Sequence, residues 1–155
     1  MRTLFFDLDG TVIDLEKGTV KSRLAGGAFE RAIRCAGFDH LVCVGNAVAI
    51  LAQIEELKLR LDGHQMIFEL CSGAFEDRTW FTSVCSWIAD PRDRATTISG
   101  LDDWWYVDDL AEHYLERAGK RSLFELHKGG RILVPDASGD GQDVLDWLGG
   151  IANRR

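Results

Sequence analysis

The sequence predicts an α/β protein, a three-layer α/β/α sandwich around a central, mainly parallel sheet of five strands. Short apolar runs alternate along the chain with stretches of helical period, the pattern of parallel strands joined by helical crossovers. Two of those runs, residues 3–8 and 104–107, end abruptly in paired acids, and sheets of this kind collect their functional groups at the carboxyl ends of strands. The 155 residues fit one domain of ordinary globular composition, 46% hydrophobic and 28% charged. A chain of that size buries a sizeable core without staples.

The first strand is the apolar run 3–8, which exits into Asp7-Leu8-Asp9-Gly10. A polar link covers 14–22. A helix is predicted over 24–36, stopped by Gly37. Residues 41–44 are short and continuously apolar, as a buried second strand is. The clearest helix covers 47–61, with Val48, Leu51, Ile54 and Leu61 on one face and Glu55, Glu56 and Lys58 elsewhere. Asp62-Gly63 marks a turn before a third strand at 65–71. The aromatic spacing of 75–88 fits a helix, although 80–88 also reads as extended; Pro91 ends the segment. The fourth strand is 104–107, followed by a helix over 110–118 with Gly119 at its C-terminal stop. A fifth strand at 132–134 and a closing helix at 144–151, with Leu145 and Leu148 inward, complete the pattern. No internal repeat or low-complexity segment is visible, and one domain over 1–155 is expected.

Composition narrows the function classes. The formal net charge is −7, so the surface repels phosphate backbones at long range and a general nucleic-acid binder is disfavoured. The four cysteines, Cys35, Cys43, Cys71 and Cys85, form no C-x-x-C pair, so neither a zinc knuckle nor a dithiol redox site is signalled. The N-terminus shows no charged leader with an apolar stretch and cleavage site, and no apolar run is long enough to span a bilayer. A cytoplasmic protein is the expectation.

The decisive stretch is Phe5-Phe6-Asp7-Leu8-Asp9-Gly10-Thr11. Carboxylates at i and i+2 of an extended chain lie on the same side. Two like charges held together are costly unless a cation or a shared proton relieves them. Gly10 permits a sharp turn where a β-carbon would clash. The stretch closely resembles the D-x-D-G-T motif of the haloacid dehalogenase-like (HAD) superfamily of phosphohydrolases, whose sheet is Rossmann-like. The resemblance implies Asp7 as the nucleophile that forms an aspartyl-phosphate. It implies Asp9 as general acid and base, with Gly10 and Thr11 close to the phosphate.

Trp105-Tyr106-Val107-Asp108-Asp109-Leu110 repeats the pattern of an apolar strand ending in acids before a helix. It resembles the fourth HAD motif, which completes a Mg2+ site; magnesium favours carboxylate oxygens and retained waters. The resemblance implies Asp7, the backbone carbonyl of Asp9, and Asp108 as metal contacts, with Asp109 bound directly or through water. Acids at a helix start also suit the macrodipole without any metal. Gly139-Asp140-Gly141-Gln142-Asp143 resembles a variant of the same motif, but Pro135-Asp136-Ala137-Ser138 separates it from its strand. A calcium loop there would need a bidentate Glu where Trp147 stands, so a solvated loop is the better reading.

Two family positions depart from the pattern. Where the family places a Thr or Ser hydroxyl after the second strand, this chain has Gly45-Asn46. The Asn46 amide and helix-start N–H groups offer an alternative anion contact; a simple turn with an Asn cap is the competing reading. No Lys occurs between Lys58 and Lys120 to fill the family's phosphate-neutralising position. Arg78, Arg92 and Arg94 are the candidates, since Arg grips phosphate in a bidentate way, and Arg92, which follows Pro91 ahead of the fourth strand, is chosen. His40, His64, His113 and His127 show no zinc spacing. Five tryptophans could stack bases, but core packing is their commoner use.

The short link at 14–24 leaves no room for a full cap domain. The resemblance therefore implies a small, capless, Mg2+-dependent phosphatase acting on a phosphorylated small molecule or macromolecule, with a homo-oligomer as one way to cover an open site. The alternatives are an HAD-like binding or regulatory protein without turnover, and a phosphatase for nucleotides or nucleic-acid ends, the latter disfavoured by the net charge.

Overall fold

Strand β1 (Arg2–Asp7) lies in the middle of a parallel sheet, and its interior residues, Thr3 to Phe6, are all buried. That double burial is why the run reads as continuously apolar rather than alternating. The computed structural model describes residues 2–45, 67–72, 103–117 and 119–154. Within them β1 pairs with β2 (His40–Gly45) on one side and β4 (Asp103–Val107) on the other, and β3 (Ile67–Ser72) lies beyond β2. At the opposite edge a two-residue segment, β5 (Ile132–Leu133), pairs with β4. Every pairing is parallel, and the order is β3-β2-β1-β4-β5. The helices among the described residues are α1 (Ala28–Cys35), α2 (Ala111–Arg117), α3 (Arg121–His127) and α4 (Gln142–Asn153).

This order positions the site. The chain steps outward from β1 through β2 to β3, then returns to the other side of β1 as β4. The reversal falls between β1 and β4, and open α/β sheets bind ligands in the crevice beyond the strand ends at such a reversal. Register sharpens the point: Phe6 is level with Val107 and Asp7 with Val44. Asp7 and Asp108, each one residue further on, therefore leave neighbouring strands at the same height.

Leu4 and Phe6 of β1, Leu41 of β2, and Trp105 and Val107 of β4 share one buried cluster with Phe29 and Ile33 of α1 and Val144, Trp147, Leu148 and Ile151 of α4. Phe6 meets Phe29 edge-on at 5.7 Å. The alternate residues Phe5, Trp104 and Tyr106 are buried as well, and the Trp104 ring packs against His127 of α3 at 5.2 Å. The Arg2 and Arg131 guanidiniums lie 4.7 and 4.8 Å from the Trp105 ring. Trp147 donates its indole N–H to the Gly130 carbonyl at 2.7 Å. Trp104, Trp105 and Trp147 are thus packing residues, not an exposed base-stacking platform; Trp80 and Trp87 lie outside the described residues.

Several boundaries differ from the sequence reading for identifiable reasons. Helix 24–36 narrows to α1 because Gly26 and Gly27 take left-handed φ of 64° and 85°, which breaks the helix ahead of Ala28. The polar link is an ordered hairpin-like turn: Asp14 N–H donates to the Thr19 carbonyl at 2.8 Å, and Ile13 bridges Val20 in antiparallel sense. Lys21 follows it, buried, with Nζ donating to the Asp136 carbonyl at 2.8 Å. The closing helix, predicted over 144–151, runs from Gln142 to Asn153. Helix α3 has no counterpart in the sequence reading: seven residues with only Leu123 and Phe124 buried and no capping side chain give almost no periodic signal. The fifth strand contracts from three residues to two. The predicted helix 47–61 and the segment 75–88 lie outside the described residues. No helix among the described residues is long and apolar enough to cross a membrane.

Candidate active site

Asp7, Asp108 and Asp109 each place a carboxylate oxygen within 4.8 Å of the others. The local chain explains why. β1 delivers Asp7 at its last position; β4 ends one residue before Asp108; and α2 begins at Ala111, so Asp109 sits on the turn between strand and helix. Thr11, wholly buried, ties the two strand tips together. Its hydroxyl donates to Asp7 Oδ2 at 3.4 Å and accepts the Asp109 backbone N–H at 3.1 Å.

Gly10 makes this approach possible. It holds φ +81°, and a β-carbon there would lie 2.9 Å from Asp109 Cγ. We expect Gly10→Ala to lose about 1–2 kcal/mol of stability from left-handed backbone alone, and to displace the Asp109 carboxyl as well. Thermal unfolding together with a divalent-metal titration checks both; a variant with parental melting and parental metal response would show that the turn tolerates the β-carbon.

The carboxylates are not equivalent. Asp108 is fully buried. It accepts the Tyr106 hydroxyl at Oδ2 (2.7 Å) and the Leu110 N–H at Oδ1 (2.9 Å). Burial pushes its carboxyl up to about 7, against those two hydrogen bonds, which hold it down, and with the neighbouring Asp109 raising it further. Burial, followed by the charges of Asp108 and Asp109, drives the Asp7 carboxyl well above its ordinary range. Asp9 is half-buried and raised more modestly, by desolvation first and Asp109 second. Asp109 Oδ1 is buried and has no hydrogen-bond partner among the described residues.

The predicted residues divide as follows. Asp7, Asp108 and Asp109 are brought together. Asp9 adjoins them electrostatically, but its carboxylate is outside the close triplet. The N–H groups of Gly10 and Thr11 donate within the turn, to the Ile13 carbonyl at 2.9 Å and the Leu8 carbonyl at 3.1 Å, so these residues visibly shape the turn. Gly45 ends β2, one step beyond the partner of Asp7. Asn46, Arg78, Arg92 and Arg94 lie outside the described residues. Asp140 sits in an exposed loop, paired with Arg23 at 3.5 Å and accepting the Gln142 N–H, as the solvated-loop reading expects.

Two residues were missed. Tyr106 lies two positions before Asp108 on a strand, and that spacing, which puts both on one face, was the available signal. Tyr114 of α2 is half-buried; burial and then the charges of Asp108, Asp7 and Asp109 raise its phenol. His113, one position earlier on α2, is exposed, its ring 5.6 Å from that of Tyr114; adjacent helical positions point about 100° apart.

Three mutually repelling acids at a strand reversal, one with a buried oxygen that has no hydrogen-bond partner among the described residues, form a place suited to a small hard cation. Comparison of the chain with models of known protein families, with curated proteins and with solved structures gave no match.

Proposed function

We propose that this protein is a Mg2+-dependent phosphomonoesterase of the HAD-like type, a three-layer α/β/α domain with an open, capless site that works through an aspartyl-phosphate on Asp7. One observation carries the reading: Asp7, Asp108 and Asp109 converge within 4.8 Å where the strand order reverses. The donor set fits the ion. It offers hard oxygens only, as Mg2+ prefers, and Asp109 Oδ1 is buried without a partner among the described residues. Asp7, Asp108 and Asp109 would hold the metal, with the Asp9 carbonyl as the fourth expected contact. A bound Mg2+ neutralises the crowded carboxylates and polarises a phosphoryl oxygen.

The chain's own groups then divide the work. An ionised Asp7 oxygen attacks phosphorus and forms the acyl-phosphate bond as the bond to the leaving oxygen breaks. Asp9 gives its proton to that oxygen; desolvation and the nearby Asp109 charge raise its half-buried carboxyl, the direction that favours a proton donor. Water next attacks phosphorus and passes a proton to Asp9, releasing phosphate and restoring Asp7. Thr11 keeps Asp7 and Asp109 in register throughout. Arg92 and Asn46 are proposed to contact the phosphate from segments outside the described residues. We further propose a cytoplasmic setting and phosphorylated small molecules or macromolecules as substrates, a homo-oligomer being one means of covering the site.

A second reading is favoured by Gly45, which puts no side chain at the β2 tip where a hydroxyl would grip phosphate. On that reading the protein binds metal and anion without turnover. Hydrolysis of p-nitrophenyl phosphate with and without Mg2+ separates the two. Turnover that depends on Mg2+ supports the enzyme. Mg2+-dependent thermal stabilisation without hydrolysis of any member of a phosphate-ester panel, nucleotides included, supports the binder. No response to Mg2+ in either assay removes both.

A further inference from the structure

We propose that Tyr106 is a positioning residue for the cation site, fixing Asp108 as a braced carboxylate so that Asp7 and Asp109 present the open oxygens. The inference rests on the metal reading above and concerns a residue that takes no part in the proposed chemistry.

Tyr106 and Asp108 are both fully buried. A phenylalanine would fill the same space in β4 without importing a hydroxyl that must find an acceptor in the interior. The hydroxyl's acceptor is Asp108 Oδ2, at 2.7 Å. The Leu110 N–H takes Oδ1 from the start of α2, at 2.9 Å. Both oxygens of Asp108 are thus held from the protein side, by one donor on its own strand and one on the following turn. A carboxylate pinned at both oxygens cannot rotate away from two acidic neighbours. Asp109 stands in contrast, with Oδ1 buried and without a hydrogen-bond partner among the described residues. Strand geometry sets the pairing, because residues at i and i+2 share a face and Tyr106 can reach only the acid on its own side. Hydrogen bonds to a charged acceptor are the strong ones, and loss of a partner that orients a ligand typically weakens metal affinity about 10–100-fold.

The test is Mn2+ titration of the whole chain, with free Mn2+ read by electron paramagnetic resonance and bound Mn2+ by water-proton relaxation. Tyr106→Phe is expected to weaken Mn2+ binding about 10–100-fold, with the far-UV circular dichroism of the metal-free protein unchanged. In an Asp108→Asn background the same substitution is expected to add no more than roughly a twofold change, because its effect runs through Asp108. A merely structural role would weaken binding equally in both backgrounds, and that result overturns the inference. So does parental Mn2+ affinity in Tyr106→Phe while the wild type binds the ion. A wild type that binds no Mn2+ overturns the cation reading itself, and this inference with it.

A second measurement needs no variant at Tyr106. The chain has two tyrosines, so 3-fluorotyrosine labelling gives two fluorine signals, assigned with Tyr114→Phe. The Tyr106 signal is expected to shift on Mg2+ addition and to saturate with the binding curve. A Tyr106 signal that stays still while Mg2+ binds overturns the proposal.

Discussion

Asp7→Asn is expected to abolish phosphate-ester hydrolysis while making the metal-free protein more stable at neutral pH. The loss of activity follows from the proposed role: an amide forms no acyl-phosphate, and removal of a nucleophile costs at least about 10³-fold in turnover. The gain follows from the geometry. Asp7 is held beside Asp108 and Asp109 and desolvated, so its carboxyl is pushed well above the ordinary range and its ionised form opposes folding. Asn keeps the shape and the Thr11 contact at 3.4 Å but removes the charge. The stabilisation that Mg2+ confers should shrink in the same variant, because one of three carboxylates is gone. Melting curves at pH 7.5 with and without Mg2+, set beside p-nitrophenyl phosphate turnover, give all three quantities. A variant that hydrolyses at the parental rate removes Asp7 as nucleophile. A metal-free variant that melts below the parent removes the claim that this site stores repulsion.

The same balance explains what was legible in the chain. A strand that ends in acids announces itself, because apolar residues buried on both faces cannot alternate and the change to Asp7 or Asp108 is abrupt. The strands among the described residues therefore fell within a residue or two of their predicted ends. Helix α3 did not announce itself, since Leu123 and Phe124 are its only buried positions. The start of α1 was misplaced because Gly26 and Gly27 act through backbone conformation, while the apolar spacing that begins at Leu24 continues across them. At the site, the acids could be named from the apolar runs that end in them together with the motif resemblance, but their inequality could not. That Asp108 is fully enclosed and Asp9 half-exposed depends on which groups the strand reversal brings over each tip. Tyr106 was read as one more apolar strand residue, because its hydroxyl matters only once Asp108 is known to be buried beside it.

Metal binding should release protons, and metal-free stability should fall as pH rises through neutrality. For a carboxyl raised in the folded state, the native protein holds its proton at a pH where the unfolded chain has lost it. Between the ordinary value near 4 and the folded value, the native state therefore binds more protons than the unfolded state, and stability declines with rising pH. For Asp108 that window runs from 3.8 to about 7, and Asp7 shifts in the same direction. Asp14, Asp136 and Asp140 have the opposite sign: backbone N–H donors hold them low, so their contribution is present above the ordinary carboxylate range and lost in acid. Asp136 and Asp140 are exposed and Asp14 only partly covered, so all three are weak beside Asp7 and Asp108, and the metal-free protein should be most stable on the acid side of neutrality. A divalent cation reverses the buried slope, because it favours the ionised carboxylates that burial disfavours. Calorimetric titration with Mg2+ at pH 6, in buffers of different ionisation enthalpy, should count on the order of one proton released per ion, and fewer as pH rises past the Asp108 value of about 7. Apparent affinity should climb over the same interval. Binding at pH 6 with no proton released would mean that the ion does not sit among Asp7, Asp108 and Asp109, whatever else it stabilises.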